Sequence, residues 1–176
     1  MSIAAALLLA AAPPAVFSGV PNVRIYSYDV EGTTAEAIRA SLDARRPIDP
    51  TDGQAVDALT RWSISWRWLG GPGDPCGLSR ATVSFAAGVQ LPRLRGHVAP
   101  DLRARWDRYV DALARHEARH VRDAWAGRLE VRGALRVATC ATASAAGEAA
   151  LAIIRARNQE LDRITDHGRA DGVVFP

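Results

Sequence analysis

This chain of 176 residues predicts an α+β fold in which a small antiparallel or mixed sheet packs on two long helices. Three segments, 23–30, 59–68 and 79–91, alternate apolar and polar residues with period two, as half-buried strands do. Two later segments, 100–130 and 145–163, space their apolar residues three and four apart, the signature of helices with one buried stripe. The composition, 48% hydrophobic and 23% charged, suits one globular domain with a single core.

Met1 to Ala15 is an apolar run closed by small residues and prolines, too short to cross a bilayer comfortably. It has the pattern of a secretory signal peptide without the usual positive start, since no basic residue precedes Arg24. Residues 1–18 are therefore expected to be a signal peptide. Residues 19–176 are expected to form one domain with no stable membrane span.

Val23 to Val30 reads as the first strand. Gly32-Thr33-Thr34 breaks it, and Thr34 caps a short helix over 35–44 with Ile38 and Leu42 one turn apart on its inner face. Residues 46–53 are rich in turn formers. In the second strand, 59–68, Trp62, Ile64, Trp66 and Trp68 share one face, and Arg61, Ser63, Ser65 and Arg67 the other. Three tryptophans on one face read as core rather than as a sugar-binding platform, because such stripes are usually buried. Residues 70–75 are a turn. The third strand, 79–91, alternates at Val83 and Phe85, with a bulge expected at Gly88 and a stop at Pro92.

Pro100-Asp101 opens a long helix reaching about Glu130. Its inward stripe is Leu102, Trp106, Tyr109 and Leu113, spaced four, three and four. Ser144 is expected to cap the last helix, 145–163, whose inward stripe is Leu151, Ile154, Asn158 and Leu161 with Asp162 at its border. Gly168 suits the following turn, and 173–176 is expected to dock as a short extended piece.

The net charge of +3 carries little functional meaning. All 22 basic residues are Arg, and they are scattered among 19 acids rather than clustered, which argues against a nucleic-acid partner. Cys76 and Cys140 are far apart without CxxC spacing; in an exported protein such a pair reads as one disulfide.

The chemistry concentrates in His116-Glu117-Ala118-Arg119-His120. The next steps of the long helix's stripe, three then four, land on His116 and His120, so both imidazoles face inward. Buried histidines need partners, and one Zn²⁺ satisfies both together. The glutamate between them is placed to act on a water, which is the zincin peptidase motif. A catalytic zinc takes three protein ligands and keeps one open position. His167 is preferred as the third ligand, with Asp162 the alternative; His97 reads as a loop histidine. Glu117 is the expected general acid/base. The strand 83–91 is a candidate to pair with an extended peptide, and Tyr109, His97 or an Arg to supply an oxyanion donor. Asp123 is a candidate to orient an imidazole.

Four pieces together resemble the DUF922 family, described as predicted secreted zinc-dependent proteases related to zincin-like peptidases. They are Tyr28-Asp29-Val30-Glu31-Gly32 with Thr34-Ala35, the Trp62–Trp68 strand, Ala114–His120 preceded by Trp106 and Tyr109, and Asp162-Arg163-Ile164-Thr165-Asp166-His167-Gly168. The chain departs from the family's pattern at Leu161, where an aromatic residue is expected, and at Arg119, where a small or polar one is common. The resemblance implies an exported α+β protein with a zinc site, His116 and His120 as ligands, Glu117 as catalytic acid/base, and Asp162 or His167 completing or bracing the site. The expectation is thus an exported zinc metallopeptidase, periplasmic or extracellular, acting on a peptide or protein substrate. Its rivals are a non-catalytic zinc-stabilised envelope module and a metal-free structural protein.

Overall fold

The computed structural model describes residues 15–70 and 76–175. Most of the expected signal peptide and of the 70–75 turn, and Pro176, lie outside them. The order of elements is β1 (Val23–Val30), α1 (Ala35–Arg45), β2 (Leu59–Arg67), β3 (Thr82–Leu94), α2 (Pro100–Val137) and α3 (Ala143–Thr165). Short 3-10 turns lie at Ala15–Phe17, Leu78–Arg80 and Arg169–Asp171. The protein is α+β, a three-stranded mixed sheet with three helices.

The sheet order is β1-β3-β2, with β1 parallel and β2 antiparallel to β3. The third strand differs from expectation in three ways. It starts at Thr82, because residues 78–80 form a 3-10 turn. It continues through Pro92 to Leu94. β2 pairs no further than Gln90, so beyond it β3 keeps only β1 as a neighbour and a residue without an N–H is tolerated. There is also no bulge at Gly88, which stays in register with Arg24 and Arg61. Tyr26 lies across Gly88, where a Cβ would stand 3.0 Å from Tyr26 Cε2, so a larger residue would have to displace the exposed Tyr26 ring.

Thr34 caps α1 as expected, its Oγ1 accepting from Ala37 N at 3.2 Å. Ile38 and Leu42 are fully buried. α2 runs seven residues past its expected end, because Val131 and Leu135 carry the buried stripe onward. α3 starts at Ala143 rather than after Ser144. Thr142 Oγ1 accepts from Thr139 N at 3.0 Å, a local bond that tightens the turn between the helices. The two helices lie antiparallel in close contact: a Cβ on Gly127 would meet Ile154 Cδ1 at 2.6 Å.

α2 packs under β2 and β3, with α3 beside it. The tryptophan face of β2 turns toward α3. Trp62 Nε1 donates to Asn158 Oδ1 at 3.0 Å, and Trp66 lies against Gly147. Val30, Val89, Val121 and Ile154 are fully buried at the centre of the core, each contributing about 1.5–3 kcal/mol relative to exposure. Val173 and Phe175 dock as expected, Phe175 meeting the rings of Trp106 and Tyr109 at 5.4 and 5.2 Å. Cys76 and Cys140 form a disulfide, Cα–Cα 5.4 Å, tying the α2–α3 turn to the approach to β3. Phe17, inside the expected leader, is buried, and Arg122 donates to Val16 O at 3.2 Å.

Asp57 joins three elements. Its carboxylate accepts both Arg39 guanidinium bonds at 2.8 Å and the Tyr109 hydroxyl at 2.6 Å, while its carbonyl accepts from Tyr28 Oη at 2.8 Å. Burial pushes the Asp57 carboxyl up, and the bonds from Arg39 and Tyr109 with the Arg39 and Arg46 charges more than reverse that, leaving it below its ordinary value.

Candidate metal centre

A cleft of about 630 Å³ opens over the middle of α2. Leu113, His116, Glu117 and His120 form its floor. The 49–57 loop and the start of β2 form one wall, and α3 with His167 the other.

His116 and His120 stand one turn apart on the buried face of α2, 2% and 6% exposed. α3 runs antiparallel, so its inward positions 158 and 162 fall opposite them. Three atoms converge there. His116 Nε2 and His120 Nε2 are 3.2 Å apart, and Asp162 Oδ1 is 3.1 Å from the first and 3.0 Å from the second. These residues are the one group among the described residues whose donor atoms come close enough together to hold a metal ion.

The residues behind the rings decide which nitrogens carry protons. Asn158 Nδ2 donates to Asp123 Oδ2 at 2.7 Å and to Ile154 O at 3.3 Å, which turns Oδ1 toward Trp62 Nε1 and His120 Nδ1. An amide oxygen can only accept, so His120 Nδ1, at 3.1 Å, is the N–H donor. Asp171 Oδ2 likewise accepts from His116 Nδ1 at 3.1 Å and from Arg119. In the neutral rings both lone pairs therefore sit on Nε2 and point at each other and at a carboxylate oxygen. Three such acceptors facing inward repel one another unless a cation joins them, a proton in the metal-free site or a metal ion in its place.

The donor set fits zinc. Ligands ~2.0–2.1 Å from a tetrahedral zinc lie about 3.3 Å apart, and two imidazoles with one carboxylate are among its usual partners. The observed separations of 3.0–3.2 Å are close to that edge. Burial pushes the Asp162 carboxyl up, but its bonds to both rings outweigh this and hold it well below the carboxylate range. Burial pushes the His120 ring down, and the Asp162 bond and Glu117 charge bring it above its ordinary value. Glu117 is 4% exposed, and burial raises its carboxyl against the lowering effect of the neighbouring imidazoles. Thr60 on β2 donates to the Glu117 carbonyl at 3.5 Å.

His167, the preferred third ligand from sequence, stands outside the donor group. Asp166 and His167 both adopt left-handed backbone (φ 49°), which turns the chain off the α3 axis. His167 Nδ1 then lies 3.8 Å from Asp162 Oδ1, and Nε2 lies 3.4 Å from Asp52 Oδ2. The expected oxyanion donors change too. Tyr109 is buried and committed to Asp57, and His97 lies away from the cleft. Asp123 touches no imidazole; it acts through Asn158. β3 cannot accept a peptide along the expected 83–91 stretch, because it is the central strand; the edge beside the cleft belongs to β2.

Sequence reasoning missed two supporting residues. Asn158 carried a signal, since a polar residue on an inward stripe needs buried partners. Asp171 carried none. A family model described as "Bacterial protein of unknown function (DUF922)" matches residues 25–168. No curated protein and no solved structure matches the chain.

Proposed function

The chain belongs to the DUF922 family, and we propose that it is a zinc-dependent metallopeptidase of zincin-like build. The observation that carries this reading is the convergence of three metal-donor atoms, His116 Nε2, His120 Nε2 and Asp162 Oδ1, beside a buried glutamate in an open cleft. A purely structural zinc is enclosed by four ligands, whereas three donors facing a cleft leave a position for water and substrate. That favours an enzyme over the rival zinc-stabilised module.

His116, His120 and Asp162 would hold the zinc, which when bound lowers the pKa of a water toward ~7 and polarises the scissile carbonyl. Asn158 and Asp171 keep both ligand lone pairs directed into the cleft. The Glu117 carboxylate takes a proton from the attacking water as its oxygen bonds to the carbonyl carbon. It returns that proton to the nitrogen when the C–N bond breaks, and an amine and a carboxylic acid leave. The unpaired edge of β2 along Leu59–Trp62 offers backbone groups to an extended peptide. The substrate is therefore a peptide or unfolded protein segment. We also place the protein outside the cytoplasm; the Cys76–Cys140 bond, of a kind that persists in oxidising compartments, supports this alongside the expected leader. No helix among the described residues is long and apolar enough to cross a membrane.

Metal analysis with Glu117→Gln tests the reading. The wild-type chain should carry one zinc and cleave fluorescein-casein; Glu117→Gln should keep the zinc and lose on the order of 10²–10⁴ in rate. A wild-type chain that takes up no zinc, or one whose Glu117→Gln variant turns over normally, refutes it.

A further inference from the structure

We propose that His167, with Nε2–H directed at Asp52 and a second ring proton on Nδ1, donates from Nδ1 the hydrogen bond that meets the substrate's carbonyl oxygen as it becomes an oxyanion. This rests on the peptidase reading above. Attack by water moves the carbonyl's electron pair onto oxygen, and collapse returns it as the C–N bond breaks. A donor aimed at that oxygen strengthens its bond as charge develops and needs no proton transfer of its own.

Position is the first argument. The His167 ring lines the cleft one contact beyond the metal donors, Nδ1 3.8 Å from Asp162 Oδ1. It is near enough to meet a group bound beside the zinc, yet it is not in the ligand triangle. The side chain is 26% exposed, open to a ligand from the cleft.

Support is the second. Asp52 Oδ2 faces His167 Nε2 at 3.4 Å, and Asp52 is itself fixed, its Oδ1 accepting from Gln54 N at 2.9 Å. The loop carrying His167 is held in an unfavourable conformation. Asp166, His167 and Gly168 have φ of 49°, 49° and 86° in succession. Two consecutive non-glycine residues in the left-handed region persist only where the surroundings enforce them, and such strain collects at functional sites. The enforcement is visible. Gly168 N donates to Thr165 Oγ1 at 3.2 Å, and a Cβ on Gly168 would stand 2.9 Å from His116 Cγ. The loop is thus braced against a ligand ring, which ties the position of His167 to that of the metal.

Elimination is the third. Tyr109 is engaged by Asp57, and Arg163 by Glu160 at 2.6 Å. Arg155 lies seven residues, about 10 Å along α3, from Asp162. Arg61 alternates with the inward Trp62 and is exposed. Outside the donor triangle itself, His167 is the remaining imidazole or guanidinium side chain of the cleft; the amides of Gln54 and Gln159, which also line it, are exposed.

The test compares wild type with His167→Ala, His167→Gln and Asp52→Asn. It measures zinc affinity by chelator competition, kcat and KM on fluorescein-casein, and binding of phosphoramidon, whose tetrahedral phosphoryl oxygens mimic the oxyanion. His167→Ala should keep its zinc affinity within about threefold and lose on the order of 10²–10³ in kcat with little change in KM. Its phosphoramidon affinity should fall in parallel. His167→Gln, which retains an N–H, should recover part of both. Asp52→Asn should lose about tenfold in kcat, with zinc affinity unchanged, if it positions the ring. Loss of zinc from His167→Ala would make the residue a ligand and overturn the proposal, as would unaltered kcat. Wild-type turnover with a fully active His167→Ala sinks only this role, whereas a wild type without turnover sinks the function itself.

Discussion

Asn158→Leu isolates the claim that the rings are pre-set by what lies behind them. Leucine keeps the count and branching of the side chain's heavy atoms, so the change chiefly removes polarity, with some added bulk from its two methyl groups. Asn158 is 8% exposed and its amide serves four partners: Trp62 Nε1, His120 Nδ1, Asp123 Oδ2 and Ile154 O. The substitution strands two buried donors, on Trp62 and on His120. At about 1–3 kcal/mol for each unsatisfied group, the apo protein should lose roughly 2–6 kcal/mol. Asp123 costs less, because Arg157 Nε still donates to it at 3.1 Å. His120 is then free to turn or to move its proton to Nε2, so zinc must first restore the tautomer. Outer-shell losses of this kind weaken metal binding by ~10–100-fold, equivalent to about 1.4–2.7 kcal/mol. Chelator competition reads that factor, and thermal melts with and without excess zinc read the same energy as a smaller metal-induced gain in stability. Long-range ¹⁵N–¹H spectra of the apo protein should show the His120 proton on Nδ1 in the wild type and mixed tautomers in the variant. A folded Asn158→Leu with zinc affinity within twofold of wild type would refute the reasoning.

Two further outcomes concern the scaffold. Asp57→Asn should cost about 2–4 kcal/mol at pH 7, since it uncouples Arg39 and Tyr109 in a largely buried cluster. Because the folded carboxyl lies below its ordinary value, the wild type's advantage should be complete above about pH 4 and fade as pH falls through the folded value, which urea titrations across pH 2–7 will trace. A gap between the two proteins that stays constant down to pH 2 would contradict that linkage. Replacing Cys76 and Cys140 together with serine frees a loop of 64 residues in sequence separation, and loop-closure entropy puts the loss at up to about 4 kcal/mol; unchanged melting would show that the reduced chain is already restrained.

What could be read from the sequence was what neighbouring residues determine among themselves. The Thr34 cap, the alternating face of β2 and the stripe from Leu102 to His120 are all set within a few turns or strand spacings, and they appear where local periodicity put them. The sheet order was beyond reach for the opposite reason. Nothing local to 82–94 says that this segment, rather than 59–67, is flanked on both sides, so the sequence suggests an open edge along 83–91 where the structure has the central strand. Pro92 misled because its cost depends on where the neighbouring strand ends, not on its own context. The site divides along the same line. His116, Glu117 and His120 belong to one helix face, whereas Asp171 reaches His116 across 55 residues through a turn that no spacing rule foresees. The choice between Asp162 and His167 lies between these cases. Both cluster at the end of α3, but Asp162 follows Asn158 by one helical turn and shares its inward face. His167 comes after the helix has ended, and two left-handed residues redirect it. Continuity of the helix gives Asp162 the fixed direction a ligand needs, and loss of that continuity turns His167 out of the donor group and into the cleft wall.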